Sequence, residues 1–244
     1  MRAFAMHRQN GMTSFPQFPP QVPPQFHLHS HRARPCDRFQ AHWRALRAVL
    51  SGVILAVPLA APAAALNLSF TDTAGKPLLD AVALLEPASG KVAVKPMADV
   101  EISQAKRQFS PRVTLITTGT RVTFPNFDTV RHHVYSFSPT KTFELKLYAG
   151  VPGVPVMFDK PGLAVLGCNI HDRMTAWVVV ADTPWFARSA ADGRARIDAV
   201  PAGSYRLRVW HPGLAPGSEP AAVALTVSAG DVEHQARLAV GAEP

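Results

Sequence analysis

The stretch Gly167-Cys168-Asn169-Ile170-His171-Asp172-Arg173-Met174 limits what this chain can fold into more than any other. Short apolar runs flank it, Leu163-Ala164-Val165-Leu166 before and Ala176-Trp177-Val178-Val179-Val180 after. Both have the length and the β-branched content of strands. Two strands joined by a tight loop predict a hairpin whose loop carries a thiol, an imidazole and a thioether. Cys168, His171 and Met174 fall at Cys-x2-His-x2-Met. Soft sulfur with imidazole suits copper, zinc less well, and magnesium or calcium poorly. A fourth ligand has to come from another part of the chain.

Upstream, Asn126-Phe127-Asp128-Thr129-Val130-Arg131-His132-His133-Val134 puts histidine at the head of a predicted strand, Val134-Tyr135-Ser136-Phe137. Strand alternation sends residues 132 and 133 to opposite faces, so only one of them can face Cys168. On these residues the chain resembles the cupredoxins, the blue-copper family that includes plastocyanin and amicyanin. Their copper loop reads Cys-x2-His followed by Met, and the two-residue gap before Met174 is similar to the short amicyanin version. Their upstream ligand typically lies in Asn-x-Asp-x-x-Pro-His-Asn-Val. Laid on Asn126 to Val134, that pattern favours His132 over His133, with Arg131 in place of the proline and His133 in place of the asparagine. Val156-Met157-Phe158-Asp159-Lys160-Pro161-Gly162 resembles the Phe-x-x-Pro-Gly corner that precedes the ligand loop in that family. The chain departs from the pattern at Leu166, where an aromatic is common, and at Thr175-Ala176, where glycine is common.

The resemblance covers roughly residues 93 to 182. It implies a Greek-key β-sandwich holding one type 1 copper ion through His132, Cys168, His171 and Met174. It also implies one-electron transfer, with redox protein partners docking near Ile170 and His171. His211 and His234 have no sulfur or histidine neighbours in sequence and are expected at the surface.

A formal net charge of +8 invites a nucleic-acid reading, which its distribution removes. Residues 1–65 hold seven arginines (2, 8, 32, 34, 38, 44 and 47) against the single acid Asp37, leaving 18 basic and 16 acidic residues, or +2, for the rest. Within that leader, Arg44-Ala45-Leu46-Arg47, the apolar run 48–57 and Ala61-Pro62-Ala63-Ala64-Ala65 read as a signal peptide cut after Ala65. Pro58 and Pro62 break the apolar run, which is too short for a comfortable membrane span. Residues 1–43 lack hydrophobic periodicity and cannot bury enough apolar surface to fold, so they read either as a disordered n-region or, the preferred reading, as a stretch upstream of the true start codon. The cluster His27, His29 and His31 falls in this leader, as does Cys36. The expectation is therefore a periplasmic protein, mature from about Leu66, with no membrane span after cleavage and Cys168 as its only thiol. An exported lone thiol usually has a partner or a task.

The remaining segments also read as strands. Leu66-Asn67-Leu68-Ser69-Phe70, Ala81 to Leu85, Val113 to Ile116 and Arg121 to Phe124 precede the site. Thr142 to Tyr148 alternates, which predicts Phe143, Leu145 and Leu147 inward with Glu144 and Lys146 in water. Asp192-Gly193 to Trp210, with Val200-Pro201-Ala202-Gly203 as a corner, resembles the carboxypeptidase-regulatory-like, transthyretin-type sandwich. The Asp-x-x-Gly-x-Pro-Leu and Asp-Ala-Val parts of that family occur at Asp72 to Val82. The expectation is thus an all-β protein: a leader at 1–65, a split sandwich from 66–91 and 183–244, and a cupredoxin domain at 92–182. A single continuous sandwich is the alternative.

Three classes of function compete: a blue-copper electron carrier, a copper carrier or partner-binding module without redox turnover, and an enzyme. A cysteine hydrolase built on Cys168 and His171 lacks an orienting third group and leaves Met174 idle. A copper oxidase or reductase needs more histidines than His132, His133, His171, His211 and His234 supply. The sequence therefore favours a carrier that is not an enzyme.

Overall fold

The structure, a computed structural model, describes residues 63–241 except 216, 219 and 220. The expected leader features, from the disordered segment to the apolar run, the His27, His29, His31 cluster and Cys36, lie outside the described residues. What is described is all-β, with no helix among the described residues and hence none long and apolar enough to cross a membrane.

The strands, in chain order, are β1 (Ala64–Asp72), β2 (Val82–Pro87), β3 (Val100–Glu101), β4 (Ser103–Ala105), β5 (Gln108–Ser110) and β6 (Val113–Thr117). Then come β7 (Thr120–Thr123), β8 (His132–Ser138), β9 (Lys141–Tyr148), β10 (Val156–Phe158), β11 (Gly162–Gly167) and β12 (Thr175–Ala181). The last are β13 (Phe186–Arg188), β14 (Arg194–Val200), β15 (Gly203–Trp210), β16 (Ala221–Val227) and β17 (Val232–Leu238).

Two face-to-face packings follow from their apolar alternation. A five-stranded sheet, β6-β12-β11-β8-β9, covers one core with the sheet β10-β7-β3 and the small pair β4-β5. Ile102, Phe109, Phe124, Phe158, Val134 and Leu166 fill the space between them, together with Cys168 and Met174. The sheets β14-β1-β17 and β13-β2-β15-β16 enclose a second core around Leu66, Phe70, Leu85, Ile197 and Leu207. β1 thus pairs antiparallel with β14 and parallel with β17, from the opposite end of the chain. A third, smaller cluster joins the two parts: Val82 and Trp210 meet Val113, Trp177 and Val179. The sandwich is closed at its start by Ala64 and Ala65, both buried, with Ala64 opposite Val200. Cleavage after Ala65 would remove two residues from β1.

Strand alternation delivers the hairpin as expected. Ala164, Leu166 and then Cys168 face the first core on β11 and its loop, and Met174, Ala176, Val178 and Val180 face it on and before β12. The expectation fails at one residue of β9. Phe143 and Leu145 pack against the core, but Leu147 is 50 % exposed and Tyr148 turns inward in its place. The cause is a bulge: β8 and β9 pair as His132 with Tyr148 but Val134 with Leu145, so β9 carries one extra residue there and its alternation inverts.

Candidate metal centre

Cys168, His171 and His132 form the one group of three His, Cys, Asp or Glu side chains among the described residues whose donor atoms all lie within 4.8 Å of one another. Cys168 continues the inward row of β11, and Met174 N donates to His171 O at 2.9 Å, closing the loop so that His171 turns back over the thiol. Gly167 is required just before it. The ring of Tyr135 crosses the strand there, and a Cβ at 167 would lie 2.7 Å from its Cζ and hydroxyl oxygen. Met174 is buried in the same cluster as Cys168. Cys168 and Met174 are buried, whereas His171 is half-exposed and flanked by exposed Ile170, which makes it the part of the group that reaches solvent.

His132 is delivered by a loop that is tied down at every turn. Asn126 Nδ2 donates to Val130 O and Tyr148 O, and its Oδ1 accepts from Asp128 N at 2.9 Å. Asp128 then does two things. Its Oδ1 accepts from Lys106 N at 2.7 Å, and its Oδ2 accepts from Arg107 N at 2.9 Å and lies 2.7 Å from His132 Nε2. Lys106 and Arg107 sit at φ 54° and 57° in the tight turn between β4 and β5, a conformation that aims consecutive amides at one carboxylate. The Arg107 amide, with His132 and the Lys106 amide, holds the Asp128 carboxyl below the usual carboxylate range against the opposing cost of burial. A carboxylate only accepts, so His132 Nε2 carries a proton, and in the neutral ring that leaves the lone pair on Nδ1.

That lone pair faces Cys168. Sγ lies 3.9 Å from His132 Nδ1 and 3.9 Å from His171 Nδ1, and the two rings are 5.0 Å apart. Direct hydrogen bonding at that range is weak, but a bridging ion fits it. With bonds of about 2.3 Å to sulfur and about 2.1 Å to nitrogen at an angle of about 120°, sulfur and nitrogen stand about 3.8 Å apart. A thiol, two imidazoles and a buried thioether make a soft, low-coordination donor set that suits copper. The carboxylate on the far nitrogen of His132 is the support that such a ligand wants.

Tyr148, opposite His132 across the strands, closes the site from behind. Its hydroxyl donates to Phe124 O at 2.6 Å, and Gln104 Nε2 reaches the same carbonyl and the Tyr148 oxygen. Burial pushes the Tyr148 hydroxyl up to about 12; the nearby Cys168 adds to the shift and the Gln104 hydrogen bond opposes it.

His133 is neither at the site nor in solvent. It is 6 % exposed on the other face of β8, its Nε2 2.8 Å from Glu144 Oε1 and its ring beside Tyr135. His211 departs from its expected surface position. It is buried, with Nε2 2.9 Å from Leu79 O and Nδ1 accepting from Gly213 N. His133 Nδ1 is buried with no hydrogen-bond partner among the described residues, and the partners Glu144 and Leu79 are brought in by strand pairing and packing, which no local pattern signals. His234 is half-buried on β17. The residues that sequence reasoning missed are Asp128 as the His132 support, and Tyr148 with Gln104. The four-residue spacing of Asp128 and His132 is the one signal available for the first.

No family model matches the chain, and no curated protein does. Solved structures similar to it include a purple cupredoxin from Nitrosopumilus maritimus, at 23 % identity and TM-score 0.30, covering 34 % of this chain and 99 % of that one. A reduced Cu(I) form of an amicyanin mutant is similar at 19 % identity and TM-score 0.32, over 40 % of this chain and 97 % of that one. A copper-containing nitrite reductase from Thermus scotoductus SA-01 is similar at 24 % identity and TM-score 0.32, over 46 % of this chain and 28 % of that one. These neighbours are cupredoxin proteins, but at such TM-scores the likeness carries no argument, and the reading of the site rests on its own geometry.

Proposed function

We propose that the chain is a type 1 copper protein acting as a one-electron carrier, in which His132, Cys168, His171 and Met174 would hold the ion. The observation that carries this reading is the convergence of Cys168 Sγ with two imidazole Nδ1 atoms at 3.9 Å each. Bound copper would supply one-electron redox chemistry. The chain supplies a donor set held in advance: Asp128 fixes the tautomer of His132, the His171–Met174 turn fixes the loop, and Tyr148 and Leu166 keep water from the thiol side. Prearranged donors need little reorganisation when charge changes, which suits a carrier. His171, half-exposed beside Ile170, is the proposed electron port where a redox protein docks. A second reading, a copper carrier without redox turnover, uses the same donors.

The proposed organisation is a copper module at 92–182 set between the two parts of a second sandwich, 66–91 and 183–244. The strand pairing of β1 and β2 with β13 to β17 supports it. Export to the periplasm is likewise proposed. Because Ala64 opens β1, the preferred cut moves to Ala61-Pro62-Ala63, which satisfies the small-residue pattern and leaves the strand whole. Sequencing of the mature N-terminus tests this.

Addition of Cu(II) to the purified protein tests the function. An intense blue thiolate-to-copper band that cycles reversibly in voltammetry is expected, and it should vanish in Cys168→Ser. Tight copper binding without the band leaves only the copper-carrier reading, and a band surviving in Cys168→Ser removes Cys168 from the site.

A further inference from the structure

The cavity between the two sandwiches belongs to no part of the proposed copper chemistry. It encloses about 910 Å³, within the range of small-molecule sites. One wall is the back of the ligand hairpin, where Leu163, Val165, Trp177 and Val179 point away from the copper side. The other is the outer face of β2 and β15.

That second wall is graded along the strands. On β15, Arg206, Arg208 and Trp210 share one face at successive alternate positions, and across from them on β2 stand Glu86, Leu84 and Val82. The Trp210 end is apolar and closed, since Trp210 and Trp177 are buried with ring centroids 6.2 Å apart and Val82 packs beneath them. Four residues of strand separate this end from Arg206, about 13 Å at a rise of about 3.3 Å per residue. At the Arg206 end the wall is cationic. Arg208 lies 3.4 Å from Glu86 and the two offset each other, while Arg206 and Lys91 are exposed and make no ion pair among the described residues. Among the described residues one further carboxylate, Asp182 just beyond β12, lines the cavity, so there Arg206, Arg208 and Lys91 outnumber Glu86 and Asp182.

We propose that this cavity is a binding site for a small amphipathic carboxylate, its apolar chain lying toward Trp177 and Trp210 and its acid group meeting Arg206 and Lys91. The inference goes beyond the copper reading and does not depend on it. A blind apolar end and an open cationic end select for one apolar tail and one negative head; a neutral or cationic amphiphile gains only the burial. An arginine at the mouth recognises a carboxylate through paired N–H donors, where a lysine offers a point charge.

Calorimetry and tryptophan fluorescence on the purified protein, metal-free and copper-loaded, test it with decanoate as the probe and decyltrimethylammonium as its charge-inverted control. The expected result is saturable one-to-one decanoate binding with a change in tryptophan emission, and affinity for the cationic amphiphile at least tenfold weaker. Arg206→Glu, at an exposed position, should weaken decanoate at least tenfold and improve the cationic control. Val165→Trp, which fills the cavity from a residue 40 % exposed, should abolish decanoate binding while thermal unfolding is unchanged. Equal binding of both amphiphiles, decanoate affinity unchanged in either variant, or association with phosphatidylglycerol vesicles in place of monomeric decanoate would each overturn the proposal. Because the metal-free protein is measured as well, failure of the copper reading leaves this result interpretable, and the reverse also holds.

Discussion

Asp128 offers the sharpest test of how the site is held. Its carboxylate accepts three N–H bonds at once, from the Lys106 and Arg107 amides and the His132 ring, and His132 is fully buried. Asp128→Ala leaves the His132 N–H with no acceptor, a loss of about 1–3 kcal/mol for a buried donor. Loss of an outer partner of a ligating histidine typically lowers metal affinity about 10- to 100-fold. At about 1.4 kcal/mol per tenfold, that is roughly 1.4–2.8 kcal/mol, so the two estimates agree. Asp128→Asn should fare little better. Both carboxylate oxygens are in use, so the amide NH2 must face a donor whichever way it turns. The assay is competition for copper against a chelator of known affinity, alongside thermal unfolding of the metal-free protein. Copper affinity within twofold of the parent in a folded Asp128→Ala protein would refute the claim that this carboxylate orients His132.

Gly167→Ala should destabilise the hairpin by about 1–3 kcal/mol through overpacking against the Tyr135 ring, and adding Tyr135→Ala should recover part of that in denaturant unfolding. Tyr148 makes stability fall at high pH. Its hydroxyl ionises near 10 when unfolded and only near about 12 when folded, so its contribution is complete below pH 10 and is lost as pH rises toward 12. Tyr148→Phe should flatten the unfolding midpoint across that window; an unchanged slope would show that another group governs it. His133→Gln should retain copper and the blue band, because its ring serves Glu144 on the opposite face of β8, whereas His132→Gln should lose both.

The hairpin and its donors were legible in the sequence because everything needed lies within one short stretch: alternation set Leu166 and Cys168 on one face, and the loop spacing brought His171 to the thiol. That only one of His132 and His133 can face Cys168 was legible from strand alternation, whereas the preference for His132 came from the resemblance carried by Asn126 to Val134; the described residues place His132 beside the thiol. What stayed hidden depends on partners far off in the chain. Asp128 becomes the support of His132 only because the turn at Lys106 and Arg107 clamps it. Tyr148 replaces Leu147 in the core because a bulge sets the register of β9, and a bulge leaves no mark on the alternation of a single strand. His211 reads as a surface residue because a histidine carries no local sign of the carbonyl that waits for it, and the carboxylate that meets His133 is equally unmarked.

The pairing of β1 with β17 also bears on how the protein is made. The bond from Ala65 N to Asp231 spans 166 residues, so β1 has no neighbour on that side until the chain up to β17 has followed. Topologies dominated by such distant pairings fold slowly. The half that holds Cys168 and His171 can assemble around its own hairpin early, while Leu66, Leu68 and Phe70 stay uncovered on a waiting strand. Loss of the last dozen residues should therefore injure β1, and a chaperone that shields nascent apolar strands would find its target there.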